Sequence, residues 1–209
     1  MPPPEKLAIY KNFGGFTLAE VLITLGVIGV AAALTIHSLI ASYRKQEASV
    51  RAKKFYTTME QAIIRAEIDF GPSQYWIRST KGIDTFKEYL APYITILKIE
   101  NENSSRPTIY FEDGSFFELL DGDCLDFKFD INGSKQPNVD GKDRFYFPMC
   151  FTEASRKIWH GSKDKTFGTY EGLASNRDEA ITLCQSAPLY CSRLLQIDNW
   201  EIKKDFPYN

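Results

Sequence analysis

Glu20 is the only charged residue in the 25 residues from Phe16 to Ile40. A carboxylate inside a membrane-grade helix costs roughly 2.5–3.5 kcal/mol on insertion scales, so its expected chemistry is charge pairing, at an interface or with a cationic partner. A second group of acids gathers in the segment Asp130–Asp143, where Asp130, Asn132, Ser134, Asn138, Asp140 and Asp143 supply oxygens around glycines. Such a donor set suits calcium, which takes about six to eight oxygens. The segment is not an EF-hand, because a 12-residue frame from Asp130 ends at Gly141 instead of a bidentate glutamate. The alternative is a polar turn in which Asp, Asn and Gly satisfy the local backbone. Catalytic chemistry finds little to work with. Only two histidines are present, His37 and His160, and there is no nucleophile elbow, phosphate-binding glycine loop or His-Glu-x-x-His pair. We therefore expect no enzyme and no catalytic residues.

The four cysteines, Cys124, Cys150, Cys184 and Cys191, all follow the apolar segment and lack the spacing of a zinc or redox site. They read as disulfides of an oxidising compartment. Of three possible pairings we favour Cys184–Cys191, a local loop, with Cys124–Cys150, which would join two strands.

The element that carries Glu20 is long enough to span a hydrocarbon core of about 30 Å at 1.5 Å per residue. Three fates fit such a segment: an uncleaved anchor, a secretory signal, or a leader cut ahead of an apolar helix that stays on the mature chain. The apolar run Phe16–Ile36 is 21 residues, longer than the roughly 7–15 of a secretory signal, although Ala31-Ala32-Ala33 would serve as a small-residue cleavage site. The third fate fits best.

The segment Gly15-Phe16-Thr17-Leu18-Ala19-Glu20 resembles the processing motif of type IV prepilins and type II secretion pseudopilins. The resemblance implies a leader, residues 1–15, that carries Lys6 and Lys11 and stays in the cytoplasm. It implies cleavage by a prepilin peptidase between Gly15 and Phe16, N-methylation of Phe16, and a polymerisation helix over 16–43. It implies further that Glu20 neutralises the N-terminal ammonium of a neighbouring subunit, and that residues 44–209 form an external domain of a pilus or pseudopilus. Like or related pilin subunits, inner-membrane assembly machinery and membrane lipid are the implied partners. One feature departs from the family, which usually carries proline where this chain has Thr35-Ile36-His37-Ser38. Proline bends a helix, so a straighter helix is expected. The contrasting possibility is a membrane-anchored external domain that binds a partner and does not polymerise.

Orientation is contested by charge. Arg44, Lys45, Arg51, Lys53 and Lys54 follow the anchor and outnumber the leader's cations, which by the positive-inside rule would place that side in the cytoplasm. Long domains translocate regardless of flanking charge, and the cysteines favour an external domain. With a net charge of −2 and a pI near 5.8, nothing implies nucleic-acid binding.

Downstream, Tyr56, Met59, Ile63, Ala66 and Phe70 step by three and four, an apolar stripe that predicts one helix from Phe16 to Phe70, ended by Gly71-Pro72. A shorter helix is predicted for Asp84–Tyr93. Strands are predicted at Thr108–Phe111 and Phe116–Leu120 around an Asp113-Gly114 turn, at Leu125–Ile131 by alternation, and at Phe145–Phe151. Asn176 with Glu179 reads as a capping box for a helix reaching about Cys184. Ile158-Trp159-His160-Gly161 reads as a strand end or turn, and Trp200-Glu201-Ile202 as a short terminal strand. One long helix followed by an antiparallel sheet is an α+β arrangement, and the resemblance implies the pilin-like version of it.

Overall fold

The computed structural model describes residues 15–171 and 174–208, with the side chain of His37 excepted. Apart from Gly15, the leader expected at 1–15 lies outside the described residues. The chain divides into two units after Tyr43, and helix α1 (Leu18–Phe70, 53 residues) contributes to both.

In the first unit α1 runs without a break through Gly26, Gly29 and Thr35–Ser38. Its polar side chains bond within the helix: the Thr24 hydroxyl donates to Val21 O at 3.0 Å, Thr35 to Ala31 O at 3.0 Å and Ser38 to Thr35 O at 2.9 Å. A hydroxyl satisfied by its own helix brings no unpaired donor into an apolar solvent. The large apolar side chains of this stretch, among them Leu22, Ile23, Leu25 and Leu34, are exposed.

In the second unit α1 buries a stripe of Ala48, Ala52, Phe55, Tyr56, Met59, Ala62, Ile63 and Ala66, the three-and-four spacing of one helical face. This face packs on a five-stranded antiparallel sheet: β1 (Lys98–Glu100), β2 (Thr108–Tyr110), β3 (Phe116–Asp121), β4 (Leu125–Asp130) and β5 (Arg144–Met149), paired in chain order. Alternation along the strands turns Phe117, Leu119, Leu125, Phe127, Phe129, Phe145, Phe147 and Met149 into the core. Phe55 lies at its centre, stacked on Phe129 with centroids 4.2 Å apart and in ring contact with Phe117, Phe127 and Phe147. The β2–β3 turn places Gly114 at φ +81°, where glycine has no steric cost. Four helices complete the unit: α2 (Gly82–Tyr89), α3 (Glu153–His160), α4 (Arg177–Ser186) and α5 (Cys191–Ile197).

The α+β arrangement follows the sequence expectation, with local corrections. Phe70 closes the predicted stripe yet is 47% exposed, its ring meeting that of Tyr89 edge-on with centroids 5.2 Å apart. The helix expected over Asp84–Tyr93 stops at Tyr89 and is followed by a 3₁₀ turn at Ala91–Tyr93, since Pro92 lacks the N–H an α-helix needs. His160 ends helix α3, capped by Thr152 at one end and by Gly161 at φ +66° at the other. Trp200–Ile202 is not a strand: Asn199 and Trp200 have φ of 55° and 62°, outside the extended region.

Candidate functional site

Gly15 and Phe16 directly precede α1. A side chain built at Gly15 would meet nothing within 4 Å, and Phe16 is 88% exposed. Both residues are exposed among the described residues. Thr17 then caps the helix. Its carbonyl accepts the first helical bond from Val21 N at 3.2 Å, and its hydroxyl accepts from Glu20 N at 3.3 Å. In return Glu20 Oε2 accepts from Thr17 N at 2.8 Å and from the Thr17 hydroxyl at 2.9 Å. This is a reciprocal capping box, with Glu20 at the third helical position, where the helix dipole also favours an anion. Glu20 had been read from sequence as a carboxylate in search of a cation. Within one chain it is partly satisfied already, at Oε2, by a residue three positions away.

The cysteines lie in two bridges of the second unit, Cys124–Cys150 and Cys184–Cys191. The first joins the residue before β4 to the residue after β5. The second closes the turn between α4 and α5, and both of its cysteines are fully buried. The predicted cap is also present: the Asn176 side chain accepts from Glu179 N at 3.0 Å, and Glu179 Oε2 accepts from Ser175 N at 2.7 Å.

The Asp130–Asp143 donors form a loop between β4 and β5. Register sets Asp130 opposite Arg144 and Lys128 opposite Tyr146. Arg144 Nε donates to Asp130 Oδ2 at 2.8 Å, and Asn132 N donates to Asp130 Oδ1 at 3.2 Å. Lys128 Nζ lies 2.9 Å from Asp140 Oδ1, while the Tyr146 hydroxyl donates to Asp140 Oδ2 at 2.8 Å. Asp143 accepts from Val139 N at 2.6 Å, from Asn138 N at 2.8 Å and from the Asn132 amide at 3.3 Å. Burial pushes the Asp130 carboxyl above the usual range, against the pull of Arg144. Among the described residues no three Asp, Glu, His or Cys side chains come together as a metal site.

Sequence reasoning missed two titratable side chains, the half-buried Asp126 and the buried His160. Asp126 stands on β4 facing away from α1, and burial pushes its carboxyl up to about 6, against the pull of Tyr170 and Arg78 and helped by Asp123. Its Oδ1 is buried without a hydrogen bond. His160 is 2% exposed, with its two ring nitrogens each 3.1 Å from a carbonyl oxygen, of Thr166 and Thr169; burial lowers its pKa. Neither residue carries a sequence signal beyond its place in an element. Asp126 falls on the polar side of an alternating strand and His160 at a helix C-terminus.

An exposed Gly15–Phe16 pair, a capped acid at the third helical position and one helix long and apolar enough to cross a membrane are the features of a prepilin-type N-terminal segment. Residues 10–36 match the prokaryotic N-terminal methylation motif. The chain belongs to a family of unknown function (DUF6613), whose model matches residues 38–209. No curated protein and no solved structure matches it.

Proposed function

We propose that this chain is a structural subunit of the prepilin kind, cut by a prepilin peptidase between Gly15 and Phe16, methylated at the new N-terminus, and assembled into a type IV pilus or type II secretion pseudopilus. The observation that carries the reading is the Thr17–Glu20 capping box at the head of an exposed apolar helix. Cleavage after Gly15 would create an ammonium on Phe16, the residue directly before the box. Among the described residues Glu20 Oε1 takes no hydrogen bond, so one oxygen is held by Thr17 and the other is available to a neighbour's ammonium. In the bacterial cytoplasmic membrane, before assembly, the box lowers the cost of carrying a carboxylate in an apolar helix. In a filament the charge pair would set the register between subunits, because removing one member of a buried pair costs about 3–5 kcal/mol.

In this reading the helix over 16–43 exchanges lipid for a bundle of like helices, the leader remains cytoplasmic, and residues 44–209 stand outside the membrane, where the two disulfides persist. The test is a Glu20→Ala strain examined for surface filaments and for subunit in the membrane fraction. Loss of filaments with normal membrane content is expected. Normal filaments would contradict the pairing.

A further inference from the structure

The loop between β4 and β5 concentrates acid without concentrating free oxygens. Asp130, Asp140 and Asp143 bring six carboxylate oxygens, and each has a hydrogen-bond or ion-pair partner supplied by the chain. The two asparagines are drawn in as well. Asn138 Oδ1 accepts from Arg144 Nη2 at 3.1 Å, and the Asn138 amide donates to Ser134 O at 3.3 Å. Of the oxygens named for a cation, Asn132 Oδ1 and Asp140 Oδ1 are buried without a hydrogen bond, and the second lies 2.9 Å from the Lys128 ammonium. Two oxygens, one of them already beside an ammonium, against the six to eight that calcium requires are not a fit.

The positive charge is already there. Arg144 faces Asp130 across the first rung below the loop, and Lys128 reaches Asp140 from the next residue on the same face of β4. Asp130 is 1% exposed and Asp143 is 3% exposed, so neither acid is left to water. Removing the cation would leave a buried carboxylate unpaired, the costly half of a broken ion pair. A divalent ion entering the loop would meet the guanidinium and the ammonium at the oxygens it needs.

We infer that the Asp130–Arg144 segment is closed by two cations of its own, Arg144 and Lys128, and folds without a bound divalent ion. Asp143 does the remaining work by gathering the backbone N–H groups of Asn138 and Val139, which turns the chain back toward β5. The external domain then keeps this loop in calcium-poor and calcium-rich surroundings alike.

The experiment uses the full chain in detergent micelles, melted in EDTA and in millimolar calcium chloride, and titrated with terbium, whose emission Tyr146 would sensitise from beside Asp140. The wild type is expected to melt within about 1 °C in the two buffers and to give no sensitised emission. Arg144→Gln is expected to melt lower by roughly 5 °C or more, the shift of a kilocalorie-scale loss in a domain of this size. The double variant Asp130→Asn with Arg144→Gln, which removes both charges, should recover most of that loss; it also serves as the readout if Arg144→Gln fails to fold. A wild-type melting temperature that rises several degrees in calcium, with terbium emission that calcium displaces, would overturn the inference. So would a double variant no better folded than Arg144→Gln, since the charge pair would then not be what closes the loop.

Discussion

Leu22, Ile23 and Leu25 are 61%, 67% and 61% exposed, whereas Phe55, Met59 and Ala62 are 3%, 0% and 1% exposed, and all six lie on helix α1. The first stretch is apolar around its whole circumference but for one acid, and the second is apolar on one face only. The second finds its apolar partners inside the chain, on strands β3, β4 and β5. The first finds none among the described residues, and 25 residues around a single acid are more apolar surface than a water-facing helix sustains. Polar atoms follow the same division. The hydroxyls of Thr24, Thr35 and Ser38 bond back to their own helix, while in the second unit Arg144, Lys128 and Arg177 reach across elements to Asp130, Asp140 and Asp198. A helix continuous in secondary structure thus divides by surroundings: one part is long and apolar enough to cross a membrane and has no apolar partner among the described residues, the other packs on a protein core.

Substitutions should act on one side of that division at a time. The largest effect is expected in the core, where Phe55→Ala removes the ring that meets Phe117, Phe127, Phe129 and Phe147. It should lower unfolding stability by about 3–5 kcal/mol in denaturant melts and leave membrane partition unchanged. Leu25→Arg should do the reverse. A charge near mid-span costs about 2.5–3.5 kcal/mol for insertion, so the subunit should leave the membrane fraction while the disulfide-bonded unit melts as before. Equal effects of either substitution on both readouts would break the comparison.

A smaller effect sharpens the second unit alone. Asp126 titrates near 6 in the fold, above its ordinary value of 3.8. Because the folded state favours the protonated form, this group's contribution to stability is complete below about pH 4 and is lost as pH rises through 6. Asp126→Asn should therefore raise the melting temperature at pH 7.5, by an amount worth at most about 3 kcal/mol, and the gain should vanish near pH 4. A gain independent of pH would mean that the carboxylate is not the source.

Periodicity made the scaffold legible. The stripe on α1, the alternation through Phe127 and Phe129 and the Asp113-Gly114 turn are local patterns, and local patterns dictate local structure. Strand β1 is three residues at a sheet edge, too short to show alternation, and Ile158-Trp159-His160-Gly161, which reads as a strand end or turn, is instead the close of α3, bracketed by Thr152 and Gly161 as caps. Trp200-Glu201-Ile202 reads as strand material from its side chains, but Asn199 and Trp200 take positive φ and the Trp200 ring packs on Tyr56 and Phe147, long-range contacts that no local pattern encodes. The N-terminal methylation motif was legible because it depends on adjacent residues. The closure of the Asp130–Asp143 loop was not, since the partnership of Asp130 with Arg144 and of Asp140 with Lys128 exists only once β4 and β5 are in register.

The central claim is that the helix begins, in the working protein, at a cut between Gly15 and Phe16. Intact mass with N-terminal sequencing of the protein from membranes of a host that carries the processing peptidase tests it most directly. The account predicts a chain that starts at N-methylated Phe16 and retains both disulfides. A chain that starts at Met1, or one that starts near Leu34 and is recovered free of the membrane, would contradict it.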